Sequence, residues 1–282
     1  MRISEVILNI VYLLGAVSFI LGLKRMSSPK TAYQGNVIAA TGMFAVVVST
    51  MVYLLFFNQN ADWLKNLVPC ILAIAAGSVV GYYGAMKVKM TAMPQMVSAF
   101  NGMGGLCAAL IGVYEYPHFL TTDNKLAMAA ACAGIIIGTT SFTGSIMAFI
   151  KLSESKGKLI SFFRRDVRFK GQFILNTAVL LLAVVISIVM IFGSSGEPSQ
   201  QMSWLLLFIS AVYGILMVLP IGGADMPVVI SLLNSFTGVA AGFGGFLYNN
   251  MAMIMGGVLV GSAGTLLTIL MCNAMNRDLL NV

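Results

Sequence analysis

The stretch 173–192, FILNTAVLLLAVVISIVMIF, decides the fold. It carries no charge, and its only polar side chains are Asn176, Thr177 and Ser187. A helix rises about 1.5 Å per residue and the hydrocarbon layer of a bilayer is about 30 Å thick, so the run has the length and character of one membrane-spanning helix. Similar runs recur along the chain. The spans drawn on this criterion are 3–23, 35–57, 64–86, 94–113, 127–150, 173–192, 202–219, 227–247 and 251–274. Backbone polar groups in lipid must be satisfied within their own segment, and these runs are far longer than barrel strands. The expected fold is therefore an all-α integral membrane bundle of about nine transmembrane helices, with the whole of 1–282 forming one transmembrane domain.

Composition agrees. Apolar residues make up 59% of the 282 residues and Asp, Glu, Lys and Arg only 9%, against about 45–50% and 25% in soluble domains. A net charge of +7 would suggest nucleic acid in a soluble protein, but here the basic residues lie in short loops between apolar runs. Lys24, Arg25, Lys30, Lys87, Lys89, the seven from Lys151 to Lys170 and Arg277 fall in one set of alternate loops, and only Arg2, Lys65 and Lys125 in the other. The positive-inside rule puts the first set in the cytoplasm. An odd number of spans then places the amino terminus outside and the carboxyl terminus in the cytoplasm. The first run is read as a span, without the small-residue cleavage site of a signal peptide. The basic loop 153–170 is read chiefly as topology-fixing, with contact to anionic headgroups or a soluble partner as the other reading. Cys70, Cys107, Cys132 and Cys272 lie inside apolar runs without metal or disulfide spacing and read as small hydrophobes.

Two segments 133 residues apart share the form M-P-x-x-x-S-x-x-N-x-x-x-G: Met93-Pro94, Ser98, Asn101 and Gly105, then Met226-Pro227, Ser231, Asn234 and Gly238. Each opens a span on the cytoplasmic side, so the pattern predicts a parallel internal repeat of the kind transporter folds use. Proline suits the first helical turn. Ser and Asn, three apart, are neighbours on one face, and each Asn lies about 10 Å past its proline. An amide at that depth needs a partner. It serves either as interhelical hydrogen-bond glue or as one wall of a hydrated path, where an amide both donates and accepts.

Ionisable residues inside spans mark most proton and ion paths, and none lies at mid-membrane here. Glu115 and the sole histidine, His118, are assigned to an outer loop. Asp225 sits at the cytoplasmic edge, two residues before Pro227. It is placed either to cap the helix amino terminus or, behind Gly222 and Gly223, to take part in docking or gating. Gly257, Gly261 and Gly264 share one face of the last span and predict close helix packing. The glycines at 134, 138 and 144 lack the strand–turn–helix context of nucleotide binding. No metal site is expected.

The segment PIGGADMPVVISLLNSFTG (220–238) resembles the signature of the proton-translocating NAD(P) transhydrogenase beta subunit family. MTAMPQMV from Met90, SFTGSIMAFIK from Ser141 and the blocks GSAGT from Gly261 and AMNR from Ala274 resemble its membrane helices in the same order. The resemblance implies a proton-conducting subunit of an inner-membrane enzyme that couples hydride transfer between NADH and NADP to proton translocation. It implies that Asn234 lies in the proton path, that Asp225 communicates with an NADP-binding domain, and that Gly257, Gly261 and Gly264 form the glycine helix beside it. Taken with the duplicated motif, the expected proton pathway is Asn101, Asn234, Ser98 and Ser231, and the expected coupling residues are Asp225 and Arg277. Many members have a membrane histidine where Asn101 stands, and others carry it on the alpha-side subunit, so a partner histidine is expected. The chain stops at Val282, where the family continues into its NADP-binding domain. That domain is expected to be absent from this chain, with no cofactor bound here and NADP and NAD bound in the assembled enzyme. The expected partners are the alpha-side membrane subunit, the NAD-binding and NADP-binding domains, and lipid, in a dimer of the assembled enzyme, with no nucleic acid. The alternatives are a secondary transporter of a small solute, working alone, and a membrane scaffold.

Overall fold

A computed structural model describes residues 3–56, 63–153, 167–193 and 199–277. Among them, nine helices are long and apolar enough to cross a membrane, and no strand is present. They are α1 (Ile3–Met26), α2 (Ala32–Phe56), α3 (Trp63–Lys87), α4 (Met93–Thr121), α5 (Lys125–Leu152), α6 (Gln172–Phe192), α7 (Ser199–Val218), α8 (Met226–Leu247) and α9 (Met251–Ala274). The protein is an all-helical, multi-pass membrane bundle. Most of the basic loop read at 153–170 lies outside the described residues, as does the chain after Arg277.

One expected boundary moves substantially. The fourth span, expected to end at 113, continues as α4 to Thr121 with Pro117 inside it. The reason is packing: Tyr116 is buried and donates to Met190 O at 2.7 Å, and Phe119 and Leu120 lie against the same apolar cluster. Glu115 and His118 therefore sit on the last turns of a helix, not in a loop.

The contacts divide the chain into two units, Met1–Val88 with Asn250–Gly256 and Lys89–Asn249 with Gly257–Val282. In the first, α1 and α2 form a close hairpin, since a Cβ on Gly22 would lie 2.9 Å from Gly35 O. Tyr12 and Thr50 share a hydroxyl hydrogen bond of 2.9 Å, and Ser18 donates to Ile38 O at 2.8 Å. Helix α3 is exposed along its length.

In the second unit α5 is the central helix, packed against α4, α6, α7 and α8. It approaches α4 closely because glycines face glycines: a Cβ on Gly105 would be 2.7 Å from Gly138 O, and one on Gly138 would be 2.6 Å from Gly105 O. Small residues let backbones meet in lipid, where dispersion and interhelical hydrogen bonds replace the hydrophobic drive. Two apolar clusters result. One includes Val113, Tyr116, Met128, Cys132, Ile135 and Leu206, and the other Met147, Val218, Met226, Val229 and Leu233. On α5 they are separated by the hydroxyl-rich segment Thr139-Thr140-Ser141-Phe142-Thr143-Gly144-Ser145.

Candidate functional site

The polar segment of α5 faces α4 and α8, where buried Ser and Thr need partners because lipid offers none. Asn101 of α4 donates through Nδ2 to Ser145 Oγ at 3.1 Å and, at 3.5 Å, to Ser141 Oγ. Ser98, fully buried one turn earlier, donates to Ser145 O at 2.8 Å. Ser141 Oγ donates to Leu233 O on α8 at 2.8 Å and lies 2.5 Å from Thr237 Oγ1, while Thr237 reaches Asn101 O at 3.4 Å. Each hydroxyl has one proton, so the Ser141–Thr237 pair has two arrangements. Either Thr237 donates to Ser141 and Ser141 to Leu233 O, or Ser141 donates to Thr237 and Thr237 to Asn101 O. A reversible chain of this kind is what a hydrogen-bonded relay requires. Thr139 and Thr140 add buried hydroxyls that have no hydrogen-bond partner among the described residues.

The two asparagines of the duplicated motif are placed differently. Their helices start alike: a 3-10 turn, Met90–Ala92 or Gly223–Asp225, precedes each, and the residue before each turn is extended, Lys89 at φ −72, ψ 151 and Gly222 at φ −74, ψ 156. Yet Asn101 is half-buried against α5, whereas Asn234 is exposed and makes no hydrogen bond among the described residues. One residue on, Ser235 takes the inward place, donating to Gly261 O at 2.7 Å and meeting Thr265 Oγ1 at 2.7 Å. Ser231 donates to Gly264 O at 3.2 Å. These bonds lie along the seam of α8 and α9, where Cβ atoms on Gly257 and Gly238 would each come within 2.5 Å of backbone nitrogen across the seam, at Gly242 and Gly261. Gly264 packs on Ser235.

At the end where α8 begins, Asp225 occupies the N-cap position but its side chain makes no capping bond. It is turned instead to Arg277, whose guanidinium lies 2.7 Å from Asp225 Oδ2. Helix α9 closes there: Asn276 adopts the left-handed conformation at φ 52, and Arg277 N bonds back to Cys272 O at 3.0 Å, a common way to end a helix. Asp225 is buried, and its Oδ1 has no hydrogen-bond partner among the described residues. Beside it, Lys151 at the end of α5 donates to Leu219 O and Ile221 O, both at 2.7 Å. Gln95, in the first turn of α4, donates to Leu152 O.

At the opposite end, Tyr248 donates to Glu115 Oε1 at 2.9 Å, joining the ends of α8 and α4. Burial, with the Glu115 hydrogen bond next, pushes the Tyr248 hydroxyl up to about 12. His118 Nδ1 stands 3.9 Å from Glu115 Oε2.

Reading the sequence missed Ser141, Ser145, Thr237, Ser235 and Lys151 as polar partners. A signal was present in five hydroxyls within seven residues, 139–145, inside an apolar span. No group of three or more His, Cys, Asp or Glu able to hold a metal occurs among the described residues.

A family model described as NAD(P) transhydrogenase beta subunit matches residues 8–282. Two proteins named NAD(P) transhydrogenase subunit beta, both from Rhodospirillum rubrum and one of them from a designated strain, are each 36% identical over 279 residues. Each match covers 96% of this chain and 56% of the relative, so the chain spans a little over half the length of these relatives. The sequence blocks, the all-helical membrane bundle and the family match agree: the chain belongs to the NAD(P) transhydrogenase beta subunit family.

Proposed function

We propose that this chain is the proton-conducting membrane part of a transhydrogenase that couples hydride transfer between NADH and NADP to proton movement. The observation that supports it best is the Asn101–Ser145, Ser141–Thr237 chain. It is a reversible set of hydrogen bonds between α4, α5 and α8, flanked by apolar clusters. Water and protons exchange along such groups without a resident charge. A titrating group is then needed from outside the chain, and exposed Asn234 marks where it docks. An unsatisfied amide in hydrocarbon costs several kcal/mol, so Asn234 calls for a hydrogen-bonding partner on another membrane helix. A histidine of the alpha-side subunit fits that need.

In this reading Ser98 and Ser231 fix the walls of the path, and Asp225 with Arg277 forms the contact that senses an NADP-binding domain. The half-exposed guanidinium supports that role. Gly257, Gly261 and Gly264 keep α9 against α8. The matched entries to α4 and α8 support a parallel internal repeat, which has diverged at the two asparagines. The nucleotides are substrates held by the NAD-binding and NADP-binding domains of a dimeric assembly. The orientation follows from the loop charges: amino terminus outside, carboxyl terminus in the cytoplasm, in the inner membrane.

Reconstitution tests the reading. Vesicles containing this chain with the alpha-side subunit and both nucleotide-binding domains should acidify or alkalise on addition of NADPH and NAD. Vesicles containing this chain alone should not. Solute uptake by the chain alone would overturn the proposal in favour of a secondary transporter.

A further inference from the structure

The proton-path reading uses Asn101 and its partners at one level and Asp225 with Arg277 at another, and it leaves a buried cation between them unexplained. Lys151 is only 5% exposed at the end of α5. Its ammonium donates at 2.7 Å to both Leu219 O and Ile221 O. Helix α7 ends at Val218, so these carbonyls lie at its negative end, where a cation is stabilised. Burying an ammonium for stability alone is a poor solution, since an apolar side chain of similar volume often serves as well or better. What Lys151 provides that an apolar residue does not is a fixed position for the 219–225 loop.

That loop carries Asp225. It is held from the far side by the bond between Asp225 and Arg277. Arg168 Nε also donates to Pro220 O at 3.3 Å, and between these holds and Asp225 lie Gly222, Gly223 and Ala224. Gly223 and Ala224 are exposed, and nothing lies within 4 Å of a Cβ built on Gly223. Helix α5 continues from Lys151 back to Ser145 and Ser141, about 9 and 15 Å along its axis. One helix therefore bonds to Asn101 at one level and to the loop before Asp225 at the other. A packed helix moves as a unit and is a physical carrier of coupling between two sites.

Building on the proton-path reading, we propose that Lys151 is a positioning residue that ties the 219–225 loop to α5. Through it, a shift of α5 at Ser141 and Ser145 is passed to the placement of Asp225. Without the tie, hydride transfer continues while proton movement is no longer matched to it.

The test uses the assembled enzyme in vesicles, comparing wild type, Lys151→Met and Lys151→Arg. Two quantities are read: protons moved per hydride transferred, and the labelling rate of Ala224→Cys by a membrane-impermeant maleimide in each background. Lys151→Met should lower the proton-to-hydride ratio at least threefold, with hydride transfer within about twofold of wild type, and should speed labelling at position 224 severalfold. Lys151→Arg keeps donors for both carbonyls and should restore both readouts to within about twofold. A wild-type ratio and labelling rate in Lys151→Met overturns the proposal, as does an equal defect in the Met and Arg variants. Should Lys151→Met fail to assemble, Lys151→Gln is read against the same outcomes. Wild-type enzyme that transfers hydride without moving protons would instead sink the proton-path reading itself.

Discussion

Replacing Gly238 by alanine tests the packing that holds α8 and α9 together. An ideal Cβ at position 238 lies 2.5 Å from Gly261 N and 3.0 Å from Gly257 O, both backbone atoms. Neither can rotate away, so α8 and α9 must separate by about 1 Å to restore ordinary contact. The separation stretches the 2.7 Å bond from Ser235 to Gly261 O to about 3.7 Å, past the useful range. Overpacking of this kind costs about 1–3 kcal/mol, and loss of an interhelical hydrogen bond about 0.6–2 kcal/mol. Alanine returns about 1 kcal/mol through better helix propensity. The net is a loss of about 0.6–4 kcal/mol, which at about 2 °C per kcal/mol for a protein of this size corresponds to a drop in Tm of about 1–8 °C. Thermal unfolding of the purified protein in mild detergent measures it. Gly77→Ala is the control, because a Cβ there has nothing within 4 Å, and it should leave Tm unchanged or raise it. Gly238→Ala tolerated as well as Gly77→Ala would refute the close seam and the role assigned to Gly257 and Gly261.

Further expectations follow from single contacts. Arg277→Gln leaves the buried Asp225 carboxylate without its cation and should lower stability by about 1–3 kcal/mol; adding Asp225→Asn should recover at least half, as a double-mutant cycle in the same thermal assay will read. Ser141→Ala removes bonds to Leu233 O and Thr237 and the weaker one from Asn101, with an expected loss of about 1–2 kcal/mol. Ser210→Ala removes a bond only to its own helix, at Leu206 O, and should stay within about 0.5 kcal/mol of wild type.

How far the sequence carried is clearest at particular residues. All nine spans were legible, because a membrane demands about 20 apolar residues and the loops between them are short and charged. The M-P-x-x-x-S-x-x-N motif lies on the two helices that bond to the polar segment of α5, but it does not give their rotation. A helix turns about 100° per residue, so Asn234 and Ser235 face different ways. Which one enters the bundle depends on the glycines of α9, far away in the chain. The Ser141–Thr237 pair was hidden for another reason. A serine within a span can bond back to its own helix, as Ser187 does to Ala183 O and Ser210 to Leu206 O, and the hydroxyl cluster at 139–145 marks a polar segment without telling which of its members cross between helices. Asp225 was open to capping or docking; its side chain makes no capping bond and pairs with Arg277, 52 positions later, a contact that nothing local announces. The fourth span was expected to end at 113, but burial of Tyr116 carried α4 on to Thr121.

The central claim is that the polar groups on α4 and α8 form the membrane half of a coupled proton path. The most direct test is proton movement and hydride transfer measured together in vesicles holding the assembled enzyme, with Asn101→Leu and Asn234→Leu compared with wild type and assembly verified for each. The account predicts that both activities fall together, by at least tenfold in Asn234→Leu, whose amide is exposed. Undiminished proton movement with both asparagines replaced would contradict it.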